Sequence, residues 1–282
     1  MTDAPPVARA RENALEAIFG RPRGVLIGVV HLLPLPASPD YSGGGVEPIY
    51  ARALVDAKAY ADVGFDGLIV ENHGDIPFSK PADIGPETAA HMAVAAERVR
   101  RETGLPIGVN VLANAALHAL AVASAAGARF VRVNQWANAY VANEGLIEGA
   151  ASRATRYRSM LKADGVKIFA DAHVKHGAHA IVQDRPIDEL VRDVEFFNAD
   201  VVIFTGQRTG HAADLDYLRR MQAAASLPTL VGSGVAPGNA GDILSIVDGV
   251  IVASALKVDG RWWNPVDHKR ARQFVECARR AP

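Results

Sequence analysis

Several side chains that could carry out acid–base or metal chemistry lie close together in the stretch FADAHVKH, residues 169–176. Asp171, His173 and Lys175 alternate there with apolar residues, so an extended strand would turn all three toward one face. An acid, a base and an ammonium on one face could hold a divalent ion through Asp171 and His173, or could move protons on a carbonyl or hydroxyl group. An internal ion pair between Asp171 and Lys175 is the structural alternative.

Similar polar residues end other short apolar runs. VLIGVVH ends at His31, and GLIVEN carries Glu71, which alternation puts on the same face as Ile69. If that face lines the interior, Arg132 or Lys175 nearby would keep Glu71 ionised, and the lack of such a partner would raise its pKa toward that of a general acid. The polar residues at the run ends are His31, Glu71, Asn72, Asn110, Arg132, Asn134, Asp171, His173, Lys175, Thr205, Ser233 and Ser254.

Eight apolar runs of this kind must position these side chains. They are too short for buried helices and too uniformly apolar for a sheet with one wet face, so they suit parallel strands covered on both faces. The run ends recur about every 32 residues, the length of one strand, one helix and two loops. This repeat predicts a (β/α)8 TIM barrel of eight parallel strands. The runs span residues 25–31, 67–72, 107–112, 130–134, 167–176, 201–206, 229–234 and 249–254.

A barrel would bring the run ends together, because the carboxyl ends of its strands form one rim that carries the active site. The three prolines that follow His31 would then fix the course of the loop that leaves this rim. A doubly wound open sheet is the runner-up fold. It normally has a G-x-G-x-x-G turn after its first strand, whereas residues 31–34 here read HLLP.

The domain organisation follows from length and composition. A chain of 282 residues, 49% of them apolar, can bury one large core. We expect residues 1–23 to form an N-terminal helical extension, with Leu15, Ile18 and Phe19 at helical spacing, and residues 24–282 to form the barrel. Alanine-rich segments between the runs predict helices, two of which end at the glycine stops Gly64 and Gly127.

Composition also excludes some classes of protein. Cys277 has no second cysteine to pair with, and no apolar run approaches the roughly 20 residues that span a bilayer. The N-terminal residues lack the apolar core of a signal peptide. With a net charge of −1 and no dense basic block, a nucleic-acid surface has little support. We therefore expect a cytoplasmic protein without a membrane span, and we also expect a homo-oligomer.

The last three runs are followed by loops rich in glycine and hydroxyl groups, FTGQRTGHAAD, GSGVAPGN and ASALKVDG. Barrels of this type bind phosphate with the loops after their seventh and eighth strands. These loops therefore predict a site for the phosphate of a substrate, although the glycines could simply serve tight turns. Arg208 and Thr209 could add contacts. The predicted phosphate ligands are Thr205, Gly206, Gly232, Ser233, Gly234 and Ser254.

The sequence resembles the BtpA/SgcQ family. The matching stretches include GVVHLLPLPASP, DGLIVENHGDIPF, FADAHVKH, LVGSGVAPGN and DGVIVASALKVDGRWWNPVD, and the likeness extends over residues 24–267. It implies a TIM barrel and two associations, photosystem I biogenesis in photosynthetic bacteria and sugar-phosphate genes elsewhere. No established reaction comes with it. The residues it carries over are His31, Glu71, Asn72, Asp75, Asn110, Arg132, Asn134, Asp171, Lys175 and His176. His173 has no matching position, and Ala37 replaces the glycine of a family LPGSP motif.

The leading functional hypothesis is an enzyme that acts on a small phosphorylated sugar or nucleoside-like metabolite by lyase, isomerase or hydrolase chemistry. Lys175 could instead form a Schiff base, as in an aldolase. A divalent ion held by His31, Glu71, Asp171 and His173 is a further option. The proposed acid–base groups are His31, Glu71 and Asp171; Arg132 and Lys175 would stabilise negative charge, and Asn110 and Asn134 would orient hydroxyl groups.

A non-catalytic assembly or stability factor of the photosystem I biogenesis type is the alternative. Such a protein should carry a contiguous exposed apolar patch outside the rim and should tolerate substitution of the rim residues. Trp262 and Trp263 are candidates for that patch, although they could also form a subunit interface or pack against the last helix.

Overall fold

The computed structural model describes residues 12–175, 177–205 and 214–280. Eight parallel strands close into a barrel in which each strand pairs with the next and the last pairs with the first, so the prediction of a (β/α)8 TIM barrel is confirmed. In order around the barrel, the strands are β1 Val25–His31, β2 Gly67–Glu71, β3 Ile107–Asn110, β4 Phe130–Val133, β7 Lys167–His173, β8 Val201–Thr205, β9 Thr229–Gly232 and β10 Gly249–Val252. A separate antiparallel hairpin, β5 Ala139–Ala142 and β6 Gly145–Glu148, lies in the connection after β4.

Helices connect successive barrel strands. Gly127 ends one of them with a φ of +69°, as the sequence predicts for a glycine stop. None of the helices in the described ranges combines the length and apolarity needed to cross a bilayer. The helices are α1 Ala14–Phe19, α2 Glu47–Ala61, α3 Pro86–Thr103, α4 Ala116–Ala126, α5 Ala151–Met160, α6 Ile187–Phe196, α7 Leu215–Ala224, α8 Ala240–Ile246 and α9 His268–Arg279, with short 3-10 turns at Ala180–Val182, Ser254–Leu256 and Val258–Gly260.

The amino-terminal end of the barrel interior is closed by apolar side chains. α1 packs beneath the strands. The rings of Phe19 and Phe130 pack edge to face, with their centroids 5.8 Å apart. Phe130 in turn stacks on Phe169 with ring centroids 4.3 Å apart. Gly67 and Gly108 make room for these rings, since a Cβ would lie 2.5 Å from Phe19 and 2.2 Å from Phe130, respectively. Residues 1–11 of the predicted N-terminal extension lie outside the described residues.

Strand register brings polar residues to the other end, here called the mouth. His31 at the end of β1 is level with Glu71 at the end of β2, and Glu71 is level with Asn110 at the end of β3. A row of three polar side chains therefore crosses three adjacent strands.

An irregularity in β7 changes the orientation of one predicted site residue. Asp171 is level with Ile203, which belongs to the barrel interior, but His173 is level with Phe204, which faces the surrounding helices. The register shift between them shows that one extra residue is inserted, as in a β-bulge. The prediction that Asp171 and His173 share one face is therefore wrong, because it assumed a regular strand.

The β5–β6 hairpin was not expected from the sequence. Tyr140 and Ile147 from its two strands bury themselves against Val174, which follows β7. The hairpin thus fixes the start of the loop that carries Lys175.

Candidate active site

Glu71 is the centre of the first group of side chains at the mouth. Its Oε2 accepts a hydrogen bond from Nδ2 of Asn110 at 2.6 Å, and its Oε1 lies 2.8 Å from Nδ1 of His73. Nε2 of His31 lies 3.6 Å from the same Oε1. Both carboxylate oxygens are engaged, and both Glu71 and His31 are buried.

Hydrogen bonding and nearby charges keep Glu71 ionised, whereas burial keeps His31 neutral. Burial alone would raise the pKa of Glu71, but the hydrogen bond to His73 and the charges around it, including Arg132, hold that pKa well below its usual range. Burial lowers the pKa of His31 to about 3, although Glu71 acts in the opposite direction. Glu71 is therefore a base or a metal ligand at neutral pH rather than a general acid.

Asp171 and Arg132 form a buried ion pair beside this group. Nε and Nη2 of Arg132 donate to the two oxygens of Asp171 at 3.2 and 3.0 Å, and Nδ2 of Asn134 donates to Oδ2 at 3.2 Å. Burial raises the pKa of Asp171 against the opposing effect of Arg132. Burial acts to lower the pKa of Arg132, but Asp171 and Glu71 together outweigh it and the pKa is raised, so the guanidinium stays charged. Asp171 positions Arg132 at the mouth.

Lys175 extends from the loop after β7 to the loop after β9. Its Nζ donates to Oγ of Ser233 at 2.8 Å. Burial and the nearby charge of Arg132 lower the pKa of Lys175 to about 8. A Cβ at Gly232 would lie 3.4 Å from Nη2 of Arg132, so the glycine loop, residues 232–234, passes close to both cations. This side of the mouth is cationic.

Two buried amide oxygens near the mouth have no hydrogen-bond partner among the described residues. In both Asn110 and Asn134 the Nδ2 donates to a carboxylate, which fixes the amide orientation and leaves Oδ1 as an acceptor. Within residues 12–175, 177–205 and 214–280, the only other buried side-chain polar atom of this kind is Oγ of Ser38. A buried acceptor left unpaired costs about 1–3 kcal/mol. Hydroxyl groups of a ligand could satisfy both oxygens.

Three other residues that the sequence predicts for the site, His173, Thr205 and Ser254, lie in surroundings that differ from those of Glu71 and Lys175. His173 points away from the mouth and stacks on His179, with the ring centroids 3.8 Å apart. Burial lowers the pKa of His173 to about 4. Thr205 donates its hydroxyl to the carbonyl of His173 at 2.6 Å, which ties β8 to β7. Ser254 begins the 3-10 turn after β10. The remaining predicted residues, Gly206, His176, Arg208 and Thr209, lie outside the described residues.

Asn72 and Asp75 hold loops rather than face the mouth. Asn72 bonds to the backbone of Leu112 through both its amide atoms and donates to Asp75 at 2.9 Å. Asp75 also accepts from the backbone N–H of Leu35 at 2.8 Å. These contacts join the loops after β1, β2 and β3 around the mouth.

The loop before α9 contributes a wall that sequence reasoning missed. The ring centroids of Trp262 and His73 lie 4.4 Å apart, and the backbone carbonyl oxygen of Trp262 lies 3.1 Å from Nδ1 of His31. The loop is held by a fully buried pair in which Lys257 donates to Asp56 of α2 at 2.6 Å. No local pattern reveals a pair so distant along the chain. The signal of this pair in the sequence is Asp56, a charged residue within an apolar helix face.

Comparison with known proteins agrees with this architecture. A model of the BtpA family matches residues 23–280. An uncharacterized protein of Pyrococcus furiosus is 41% identical over 253 residues, covering 89% of this chain and 93% of that protein. The photosystem I biogenesis protein BtpA of Synechocystis is 39% identical, covering 89% and 87% of the two chains. Among solved structures, a thiamine phosphate pyrophosphorylase from Pyrococcus furiosus aligns with a TM-score of 0.55 and 15% identity, covering 91% of this chain and 96% of that one, which shows a shared fold alone. The family match over most of the chain, together with these relatives, shows that the chain belongs to the BtpA family.

Proposed function

We propose that the protein is an enzyme that binds a small phosphorylated sugar or nucleoside-like metabolite at the mouth and acts on it by lyase, isomerase or hydrolase chemistry. One observation carries the proposal. Lys175 and Arg132 converge on the glycine loop, close enough to the buried carboxylate Glu71 for its charge to affect both of their pKa values. The mouth thus combines a place for an anion with a base.

The cationic side of the mouth suits the phosphate group. The Lys175 ammonium and the Ser233 hydroxyl supply donors, and Gly232 places no side chain between this loop and Arg132. Phosphate sites of TIM barrels use the loop after the seventh strand, which here is the loop after β9. The name of the structural neighbour, a thiamine phosphate pyrophosphorylase, agrees with a phosphate ligand only at the level of the fold.

Glu71 and the side chains around it, together with the two cations, suit the reacting part of the metabolite. Glu71 is ionised and can accept a proton, whereas Lys175, with a pKa near 8, can donate one. The unpartnered oxygens of Asn110 and Asn134 can accept hydrogen bonds from sugar hydroxyls. Arg132, oriented by Asp171, would stabilise developing negative charge. A Schiff base at Lys175 stays open as a variant of this chemistry.

A second candidate function, a non-catalytic assembly factor, is favoured by one surface feature. Val141 and Leu146 pair across the β5–β6 hairpin, and each is about half exposed, at 47% and 45%. This pair could contact a protein partner or a second copy of the chain. The Synechocystis relative is named for photosystem I biogenesis, which motivates the same alternative. Homo-oligomerisation and a cytoplasmic location stay parts of the proposal.

The test is a thermal-shift screen of sugar phosphates and nucleotides, each paired with its dephosphorylated counterpart. We expect a phosphorylated compound to raise the Tm of the wild type, its dephosphorylated form to have little effect, and Lys175→Gln to remove the shift. Lys58→Gln is the matched control, since Lys58 lies in the last turn of α2, away from the mouth. Equal shifts from both members of every pair, or an unchanged shift in Lys175→Gln, would contradict the proposal.

A further inference from the structure

We propose that His31, Glu71 and His73 bind one divalent transition-metal ion at the mouth. Each offers one ligand atom, and these three atoms lie within 4.8 Å of one another. Two residues are buried, and the side chain of His73 is only partly exposed, at 28%. The set differs from the one expected from sequence, because His73 takes part while Asp171 is engaged by Arg132 and His173 faces away.

The strongest support is the orientation of His31. Its Nδ1 lies 3.1 Å from the carbonyl oxygen of Trp262, and a carbonyl oxygen can only accept, so Nδ1 carries the hydrogen. In the neutral ring, Nε2 then presents a lone pair to Oε1 of Glu71 at 3.6 Å. A metal ion bound by both atoms would make this close approach favourable. Ligating histidines commonly donate their other N–H to a backbone carbonyl in this way.

Glu71 is oriented to complete the site. Asn110 holds Oε2 at 2.6 Å, which directs Oε1 toward the two histidines. The two ring nitrogens lie 2.8 and 3.6 Å from Oε1, and ligands on a tetrahedral ion with bonds of about 2.1 Å lie roughly 3.4 Å apart. Nδ1 of His73 becomes a ligand when the ring hydrogen moves to Nε2, a change of tautomer that needs no net loss of a proton.

The donor set defines the class of ion. Two imidazoles and one carboxylate suit Zn²⁺, Co²⁺, Fe²⁺ or Mn²⁺, whereas Mg²⁺ and Ca²⁺ prefer oxygen ligands. Three protein ligands leave at least one coordination position for water or substrate, as in catalytic rather than structural sites. An ion there could polarise a substrate oxygen beside Asn110 and Arg132. Its binding does not depend on the proposed phosphate site at Lys175 and Ser233.

A second histidine pair provides an internal control. The ring centroids of His173 and His179 lie 3.8 Å apart, closer than the 4.6 Å between those of His31 and His73. Among the described residues, however, no carboxylate joins this second pair to form a three-residue group. If stacked histidines alone bound metal, both pairs would do so.

The experiment is calorimetric titration of the untagged, chelator-treated chain with Zn²⁺ and, separately, with Mg²⁺. We expect one Zn²⁺ per chain, much weaker binding of Mg²⁺, and a loss of Zn²⁺ affinity of at least about tenfold in His73→Ala and in Glu71→Gln. His173→Ala should bind Zn²⁺ like the wild type. Because His73 is partly exposed, its variant should fold, and its Tm without metal checks this. Zn²⁺ should raise the Tm of the wild type and His173→Ala but not that of His73→Ala.

Three results would overturn the proposal. They are no Zn²⁺ binding by the wild type, unchanged affinity in folded His73→Ala, and an equal loss in His173→Ala. None of them bears on whether a phosphorylated compound requires Lys175, so the two proposals fail separately.

Discussion

The two ends of the barrel interior are filled by opposite kinds of side chain. At the amino-terminal end, Phe19, Phe130 and Phe169 pack ring against ring beneath the strands. At the mouth, the same interior holds an ionised carboxylate, Glu71, and the ion pair of Arg132 with Asp171. Both ends are buried, but only the first gains its stability from burying apolar surface.

The difference separates what folds the chain from what the chain does. Buried polar groups cost desolvation, and two amide oxygens at the mouth stay unpaired. A sequence that only needed a stable barrel could fill the mouth with apolar side chains, as it does at the other end. Residues of the amino-terminal end, here called the closed end, should therefore control stability, whereas residues of the mouth should control ligand binding.

The largest expected effect is on stability at the closed end. Phe169→Ala removes a fully buried ring and should lower the free energy of unfolding by about 3–5 kcal/mol, measured by urea denaturation. Phe196→Ala is the control, because Phe196 is 80% exposed and should change stability by less than about 0.5 kcal/mol. At a temperature where Phe169→Ala is folded, it should bind ligands at the mouth like the wild type. Equal effects of the two substitutions would remove the assigned role of the closed end.

The mouth should show the reverse pattern. Asn134→Ala loses one hydrogen bond to Asp171 but also removes an unpaired oxygen, so we expect stability to change by less than about 1 kcal/mol. Binding of the phosphorylated compound should weaken by about tenfold, since a ligand hydroxyl loses its acceptor. Calorimetry measures the affinity, and Asn143→Ala in the exposed hairpin turn is the control. A large loss of stability with unchanged affinity would make Asn134 a structural residue.

Lys175 should make stability and ligand binding respond to pH in opposite directions. Its pKa of about 8 in the folded protein is below the usual 10.5, so between these values the unfolded chain binds more protons and stability rises with pH. Over the same interval the ammonium is lost and affinity for a phosphorylated ligand falls. The difference in unfolding free energy between the wild type and Lys175→Met, measured at pH 7 and pH 10, isolates the first effect. A difference that does not change with pH would mean that Lys175 has its ordinary pKa.

The smallest effect concerns the loop after β1. Ala37 has a φ of +77°, in the left-handed region that favours glycine. Ala37→Gly should relieve this strain and raise the free energy of unfolding by about 0.5–1 kcal/mol. Thermal denaturation measures the change, and lower stability would show that the loop does not hold this conformation.

Much of the fold could be predicted from sequence because the strands are short, apolar and evenly spaced. The row of His31, Glu71 and Asn110 follows largely from the same pattern, since each lies at or near the end of an apolar run and the runs pair in chain order. The pairing of Asp171 with Arg132 needed the actual geometry, because the ion-pair partner that the sequence suggested for Asp171 was Lys175.

The failures have specific physical causes. The bulge in β7 inserts one residue and reverses the face of His173, and nothing in FADAHVKH indicates where a strand departs from regular alternation. The role of Trp262 depends on Lys257 and Asp56, whose pairing is set by how α2 packs against the end of the chain. Long-range contacts of this kind are specified by packing, not by a local pattern.

The most direct test of the mouth as the functional site is a crystal structure of the protein grown with Zn²⁺ and the phosphorylated compound that raises its Tm, with anomalous data collected at the zinc edge. We expect a zinc peak between His31, Glu71 and His73, and a phosphate group bound by Lys175 and Ser233. Zinc or phosphate found only away from the mouth, for example beside His173 and His179, would contradict the assignment of the mouth as the functional site.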